Sequence, residues 1–232
     1  MIGFLSGGKT AKTLLALFVL SELILFPCIQ LTPVDVSVFS SFLSIVLVFL
    51  FALFVPRCRG SENFIRVGLL FTLVADYFLV ICEDAQLQGV LAFIIVQAAY
   101  FLYLLAREER GAVRSANAIT RVVLSILLVI AAFALLGEDT DALAIASVVY
   151  YANLVVNIVF AFVLGKGERI FAIGLLLFAM CDLCIGLEVL FSSYLNIDVS
   201  GIFYTDHLNL PWVFYQPSQI LFALSLYFKE KE

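Results

Sequence analysis

The chain alternates between long apolar stretches and short polar breaks, and the length of the stretches predicts the elements. A helix needs about 20 largely apolar residues to cross a hydrocarbon layer. Eight stretches meet that requirement, at about 12–31, 36–56, 66–83, 88–106, 119–136, 141–164, 169–191 and 211–228. The third and fourth are divided only by Glu83, Asp84 and Gln86. Lys9 and Lys12 precede the first stretch as they would in a secretory leader. That stretch is too long for a leader's core, and no Ala-x-Ala-like cleavage site follows, so it is expected to be a span. The breaks are short, and the expectation is a single transmembrane domain over 1–232, all-α, with eight helices.

The charges add a direction. The basic residues are Lys9, Lys12, Arg57, Arg59, Arg66, Arg107, Arg110, Arg114, Arg121, Lys166, Arg169, Lys229 and Lys231. With eight spans, all 13 fall on one side of the membrane. The opposite breaks carry Asp35, Glu83, Asp84, Glu138, Asp139, Asp141, Asp198 and Asp206, and no Lys or Arg. Basic residues concentrate on the cytoplasmic face, so both termini are expected there. A wrong count of spans would scatter the basic residues over both sides. The expected location is integral and multi-pass, in a bacterial cytoplasmic membrane.

Composition agrees with the pattern. Hydrophobic residues make up 64% of the chain, against about 45–50% in soluble domains. Charged residues are only 13% and the net charge is −5, which leaves no clustered basic surface for nucleic acid. The five cysteines, Cys28, Cys58, Cys82, Cys181 and Cys184, lie mostly inside apolar runs and do not form a disulfide framework.

Two stretches share a frame. Gly68-Leu-Leu-Phe-Thr-Leu-Val-Ala-Asp76 and Gly174-Leu-Leu-Leu-Phe-Ala-Met-Cys-Asp182 each place an aspartate eight positions after a glycine. They fall on the third and seventh spans, which run in the same direction. This suggests two parallel four-helix halves related by an axis along the membrane normal. At 1.5 Å per residue, Asp76 lies ~15 Å beyond Arg66 and Asp182 ~20 Å beyond Arg169, both near mid-depth. A carboxylate there is costly and marks a functional site. The basic residues are assigned to the ends of the spans, so these acids are expected to have no fixed counter-charge. If they face one another, they titrate as a coupled unit. One protonated and one ionised carboxyl is the equipment for general acid–base chemistry.

Other spans offer one polar stripe each. Glu22 lies at similar depth on the first, five residues before Pro27. Gln97 and Tyr100 lie one turn apart on the fourth. Tyr150, Asn153 and Asn157 are spaced i, i+3, i+7 on the sixth and share a face. Tyr215 and Gln219 share a face of the eighth, and Thr72 sits one turn before Asp76. Converging stripes of this kind would line a central cavity inside a bundle. Glu188 is expected at the outer interface, and Tyr204, Trp212 and Tyr215 form a candidate outer aromatic belt. Cys181-x-x-Cys184 reads as two small packing residues. His207 is the lone histidine, and no cluster has metal-ligand spacing. No metal or other cofactor is expected.

At four places the chain resembles the YhhN-like lysoplasmalogenase family of eight-helix membrane proteins. These are Gly68-Leu-Leu-Phe-x4-Asp76, Gly89-x3-Phe93-x3-Gln97-x2-Tyr100, Gly174-x3-Phe178-x3-Asp182, and Phe214-Tyr215-x3-Gln219 with Ser225. It departs from the family in having Gln97 where a histidine is frequent, and in lacking an early Lys-Pro pair. The resemblance implies hydrolysis of the vinyl-ether bond of lysoplasmalogen-type lysophospholipids. Asp182 would be the acid and Asp76 the base. Thr72, Gln97, Tyr100, Tyr150, Asn153, Asn157, Tyr215, Gln219 and Glu22 are then candidate substrate-binding residues, and the partners are the lysophospholipid and membrane lipids. Two other readings fit the same acids: a cation- or proton-coupled small transporter, and a non-catalytic lipid-binding membrane protein.

Overall fold

A computed structural model describes residues 9–55, 60–82, 85–205 and 208–228. Eight long helices carry almost all of it. They are α1 (Lys9–Leu31), α2 (Val34–Phe54), α3 (Glu62–Asp76), α4 (Gln86–Arg107), α5 (Gly111–Leu136), α6 (Ala142–Leu164), α7 (Arg169–Val189) and, last in the chain, α9 (Leu210–Phe228). Before α9 come a one-turn helix, α8 (Ser200–Phe203), and a small antiparallel hairpin of β1 (Tyr204–Thr205) and β2 (Leu208–Asn209). Single π-turns extend α3 over Tyr77–Ile81 and α7 over Leu190–Tyr194.

The long helices α1 to α7 are long and apolar enough to cross a membrane. The last expected span is also a helix, but Gln216, Pro217, Ser218 and Gln219 interrupt its apolar run and lower its hydropathy. Buried surface explains the interruption: Gln216, Ser218 and Gln219 are all 1% exposed or less. α9 packs against α7 and α2, α3 packs against α4, and α6 is enclosed by α4, α5 and α7.

Local chemistry sets the helix ends. The Asp141 side chain accepts the Ala144 N–H at 2.7 Å and starts α6. Gly137 and Gly165, at φ 58° and 92°, stop α5 and α6 in backbone conformations that suit glycine. At the end of α2, Arg66 donates to the carbonyls of Ala52 at 2.9 Å and Val55 at 2.8 Å, which the helix itself cannot satisfy.

Two expectations about the basic residues are corrected. Arg66 and Arg121, assigned to the ends of spans, are both buried within helices. α5 begins at Gly111 rather than 119, because Arg114 to Thr120 continue the helix ahead of its apolar run. Its buried positions are Asn117, Arg121 and Ala132. Val122, Val123, Ile126, Leu127, Ile130 and Phe133 are exposed. The helix is therefore polar toward the protein and apolar outward, the arrangement lipid selects. Arg57, Arg59, Glu83, Asp84, Asp206, His207, Lys229, Lys231 and Cys58 lie outside the described residues.

The turns at one end of the bundle are tied together. Glu168 accepts from Tyr103 Oη at 2.5 Å and from Arg107 Nε at 2.9 Å, joining the end of α4 to the turn before α7. In the α4–α5 turn, hydrogen bonds from Arg110 hold the Glu108 carboxyl down at about 2. Tyr103→Phe removes a hydrogen bond to a buried carboxylate and is expected to lower stability by about 1.5–3 kcal/mol, read as a fall in Tm in detergent.

Candidate active site

Each aspartate of the repeated frames finds a tyrosine on another helix. Tyr215 Oη, from α9, donates to both oxygens of Asp76 at 2.8 and 2.7 Å. Tyr150 Oη, from α6, donates to Asp182 Oδ2. Neither aspartate forms an ion pair among the described residues. Their surroundings differ: Asp76 is 3% exposed, whereas Asp182 is only partly buried.

Aromatic rings hold the pairs in place. Phe178, one turn before Asp182, has its ring centroid 6.4 Å from that of Tyr150 and 5.5 Å from that of Tyr215. It also meets Phe93 at 5.3 Å and Phe222 at 6.2 Å. One ring thus touches both tyrosines. Below it, Tyr100, Phe171 and Phe222 pack with centroids 4.9 to 5.4 Å apart.

The glycines of the frames explain this packing. A Cβ on Gly68 would stand 2.3 Å from Tyr100 Cε1, and one on Gly174 would stand 2.9 Å from Phe222 Cε1. Each glycine admits one ring of the neighbouring helix into the centre. The eight-residue spacing puts the aspartate a little over two turns further along, so ring floor and carboxyl layer stack in order.

The remaining candidates divide into three groups. Thr72, Gln97, Tyr100 and Gln219 are all fully buried. Gln97 Nε2 and Gln219 Oε1 have no hydrogen-bond partner among the described residues, whereas the hydroxyls of Thr72 and Tyr100 face each other. Gln97 and Gln219 each precede a floor ring by three residues, so both lie between the ring floor and the carboxyls. Two unsatisfied buried amide groups in this layer are unusual, and they suit a polar ligand or water.

The second group is Asn153 and Asn157, which bond Arg121 instead of pointing at the acids. Arg121 Nη1 donates to Asn153 O at 3.4 Å and to Asn153 Oδ1 at 3.0 Å, and Nη2 to Asn157 Oδ1 at 2.6 Å. Nε donates to Asn117 Oδ1 at 2.8 Å. Asn157 Nδ2 in turn donates to Gln97 Oε1 at 2.8 Å. Sequence reasoning placed Arg121 on the basic side. The missed signal was Asn117, one turn earlier on what becomes an inward polar face.

The third group corrects the expectation for Glu22. It bonds Ser44 of α2 at 2.6 Å and Gln216 of α9 at 2.7 Å, a cluster that contains none of the other candidates. It lines an apolar groove of about 250 Å³ with Val19, Leu23, Phe26, Pro217, Ile220 and Leu224. Tyr215 is also not a belt residue: it is 5% exposed, with Trp212 edge-on at 5.0 Å. Cys181 and Cys184 are buried and free. Glu188 accepts from Ser192 at 3.0 Å near the end of α7.

A wholly helical core whose acids are satisfied by tyrosines, with apolar faces turned outward, defines an all-α multi-pass membrane protein. The chain belongs to the YhhN family, whose model matches residues 36–226. The comparisons with curated proteins and with solved structures give no match.

Proposed function

We propose that the protein hydrolyses the vinyl-ether bond of lysoplasmalogen-type lysophospholipids by two-carboxylate acid–base catalysis. The observation that carries this reading is the pair of carboxyls, each held by one tyrosine, with both tyrosines against the single ring of Phe178. Family membership supports the substrate class.

In this mechanism a protonated Asp182 delivers its proton to the β-carbon of the vinyl ether. Its partial exposure lets it meet the substrate, and the Tyr150 hydroxyl fixes the carboxyl plane. Protonation leaves an oxocarbenium ion, which the negative charge of Asp76 stabilises. Water adds to that cation and gives up a proton to Asp76. The hemiacetal then collapses, its hydroxyl proton goes to the departing glycerol oxygen, and a fatty aldehyde and a glycerophospho-alcohol are released. Glycosidases use two carboxyls against a similar cation.

The same reading holds α9 to be an eighth span, with both termini cytoplasmic and the bundle built of two parallel halves. Two features support the halves. Phe93-x3-Gln97-x2-Tyr100 on α4 has the spacing of Tyr215-x3-Gln219-x2-Phe222 on α9. α2 packs against α3 and α9 as α6 packs against α7 and α4.

The test is incubation of purified protein with a lysoplasmalogen in deuterated water, with the aldehyde trapped at once by reduction. The expected product carries one deuterium on the carbon next to the former aldehyde. Absence of aldehyde, or aldehyde without deuterium, refutes the mechanism. Tyr150→Phe and Tyr215→Phe each loosen one carboxyl without removing it, and are expected to lower kcat about 10- to 100-fold, the cost of one to two lost positioning hydrogen bonds of ~1.4 kcal/mol each.

A further inference from the structure

Among the described residues, no acidic side chain neutralises the charge of Arg121. The residue is 7% exposed, and its four hydrogen bonds go to the neutral oxygens of Asn117, Asn153 and Asn157. Phe101 lies flat beneath, its centroid 4.2 Å from Cζ. A guanidinium has five N–H donors, so one on Nη2 is still free. Buried charges are ordinarily paired, and this one has a donor to spare and no anion.

A second donor points to the same conclusion. Gln97 Nε2 is fully buried and has no acceptor, although Gln97 Oε1 is held by Asn157 within the Arg121 network. Asn153, at the edge of the network, is partly exposed, as Asp182 is. Arg121 stands at the start of α5's outward-facing apolar run.

We propose that Arg121 and Gln97 form a subsite for the phosphate ester of the substrate, which sets the headgroup at the α5 end and the ether bond at Asp182. The inference rests on the hydrolase reading and adds an orientation to it. α6 supplies the ruler. Tyr150, which holds Asp182, precedes Asn153 by three residues and Asn157 by seven, about 4.5 and 10.5 Å along the helix. In a lysoplasmalogen seven bonds separate phosphorus from the vinyl carbon that is protonated, a reach of about 9 Å at ordinary bond lengths. A phosphate on Arg121 therefore brings the ether to the carboxyl without strain. Arg suits this task because its charge persists at every working pH and its remaining Nη2 N–H can donate to one phosphate oxygen.

The experiment is thermal-shift titration of the full-length protein in detergent with three probes. These are a saturated 1-O-alkyl lysophosphocholine, which cannot be hydrolysed, the 1-O-alkylglycerol of the same chain length, and inorganic phosphate. The wild-type protein is expected to bind the phospholipid at least about tenfold more tightly than the alkylglycerol, as one charge-assisted contact provides. Arg121→Gln is expected to erase that difference. Gln97→Glu keeps the acceptor for Asn157 but sets a negative charge beside the phosphate, and is expected to erase it with Arg121 intact. Its conservative change keeps the test valid if Arg121→Gln fails to fold.

Equal wild-type affinity for the two lipids, or unchanged discrimination in both variants, overturns the proposal. Saturation by inorganic phosphate at concentrations matching the phospholipid also overturns it, by assigning the site to a free anion. Discrimination in binding with no aldehyde released from a lysoplasmalogen supports the subsite while refuting the hydrolase reading.

Discussion

Asp182→Asn is expected to lower kcat by about 10²- to 10⁴-fold, the range of a positioned proton donor. An amide of the same shape keeps an oxygen for the Tyr150 hydroxyl, so the aromatic packing around Phe178 survives. What is lost is the acid proton itself. Asp76→Asn is expected to have an effect of similar size for a different reason: it removes the charge that faces the oxocarbenium ion and the acceptor for the water's proton. Because the two act on one transition state, the double variant should be little worse than the poorer single one. KM should change little, because neither group is required to hold the lipid. The measurement is steady-state aldehyde release from a lysoplasmalogen in detergent, with Tm recorded for each variant. Full turnover after either substitution would show that the carboxyls are not the catalytic pair.

Gly68→Ala is expected to lower stability by about 1–3 kcal/mol, the usual cost of an added carbon in a filled core. The new Cβ would stand 2.3 Å from a ring that is itself fully buried between Phe171 and Phe222. The ring cannot swing away without opening the floor beneath the carboxyls. Gly174→Ala meets Phe222 at 2.9 Å and also the Ser218 carbonyl at 3.2 Å. Backbone yields less readily than a side chain, so this variant should lose at least as much. Tyr100→Leu should rescue Gly68→Ala more fully than Gly174→Ala, whose Cβ also meets the Ser218 carbonyl. Tm values for the singles and doubles decide it, since contacting residues couple and distant ones add. Purely additive Tm changes for Gly68→Ala with Tyr100→Leu would show that the glycine does not seat that ring.

These predictions draw on residues that differed in how plainly the chain announced them. The glycine–aspartate frames were visible because both ends are informative alone: a glycine in a leucine-rich helix and a mid-span carboxylate each have few bland explanations. The tyrosines were harder. Tyr215 was a candidate both for the site and for an interfacial belt, and only the 139 residues separating it from Asp76, closed by folding, settled which. Glu22 carried the same depth signal as the aspartates and was drawn to Ser44 and Gln216 instead.

By itself the sequence determined the helices of this protein and most of their approximate ends, because crossing hydrocarbon is a property of each segment summed along its length. Tertiary structure decided which side chains meet. A residue's direction around its helix axis has meaning only once the neighbouring helices are packed. That is why Arg121, at the edge of an apolar run, turned inward to three asparagines, and why each aspartate took its tyrosine from a helix other than its own.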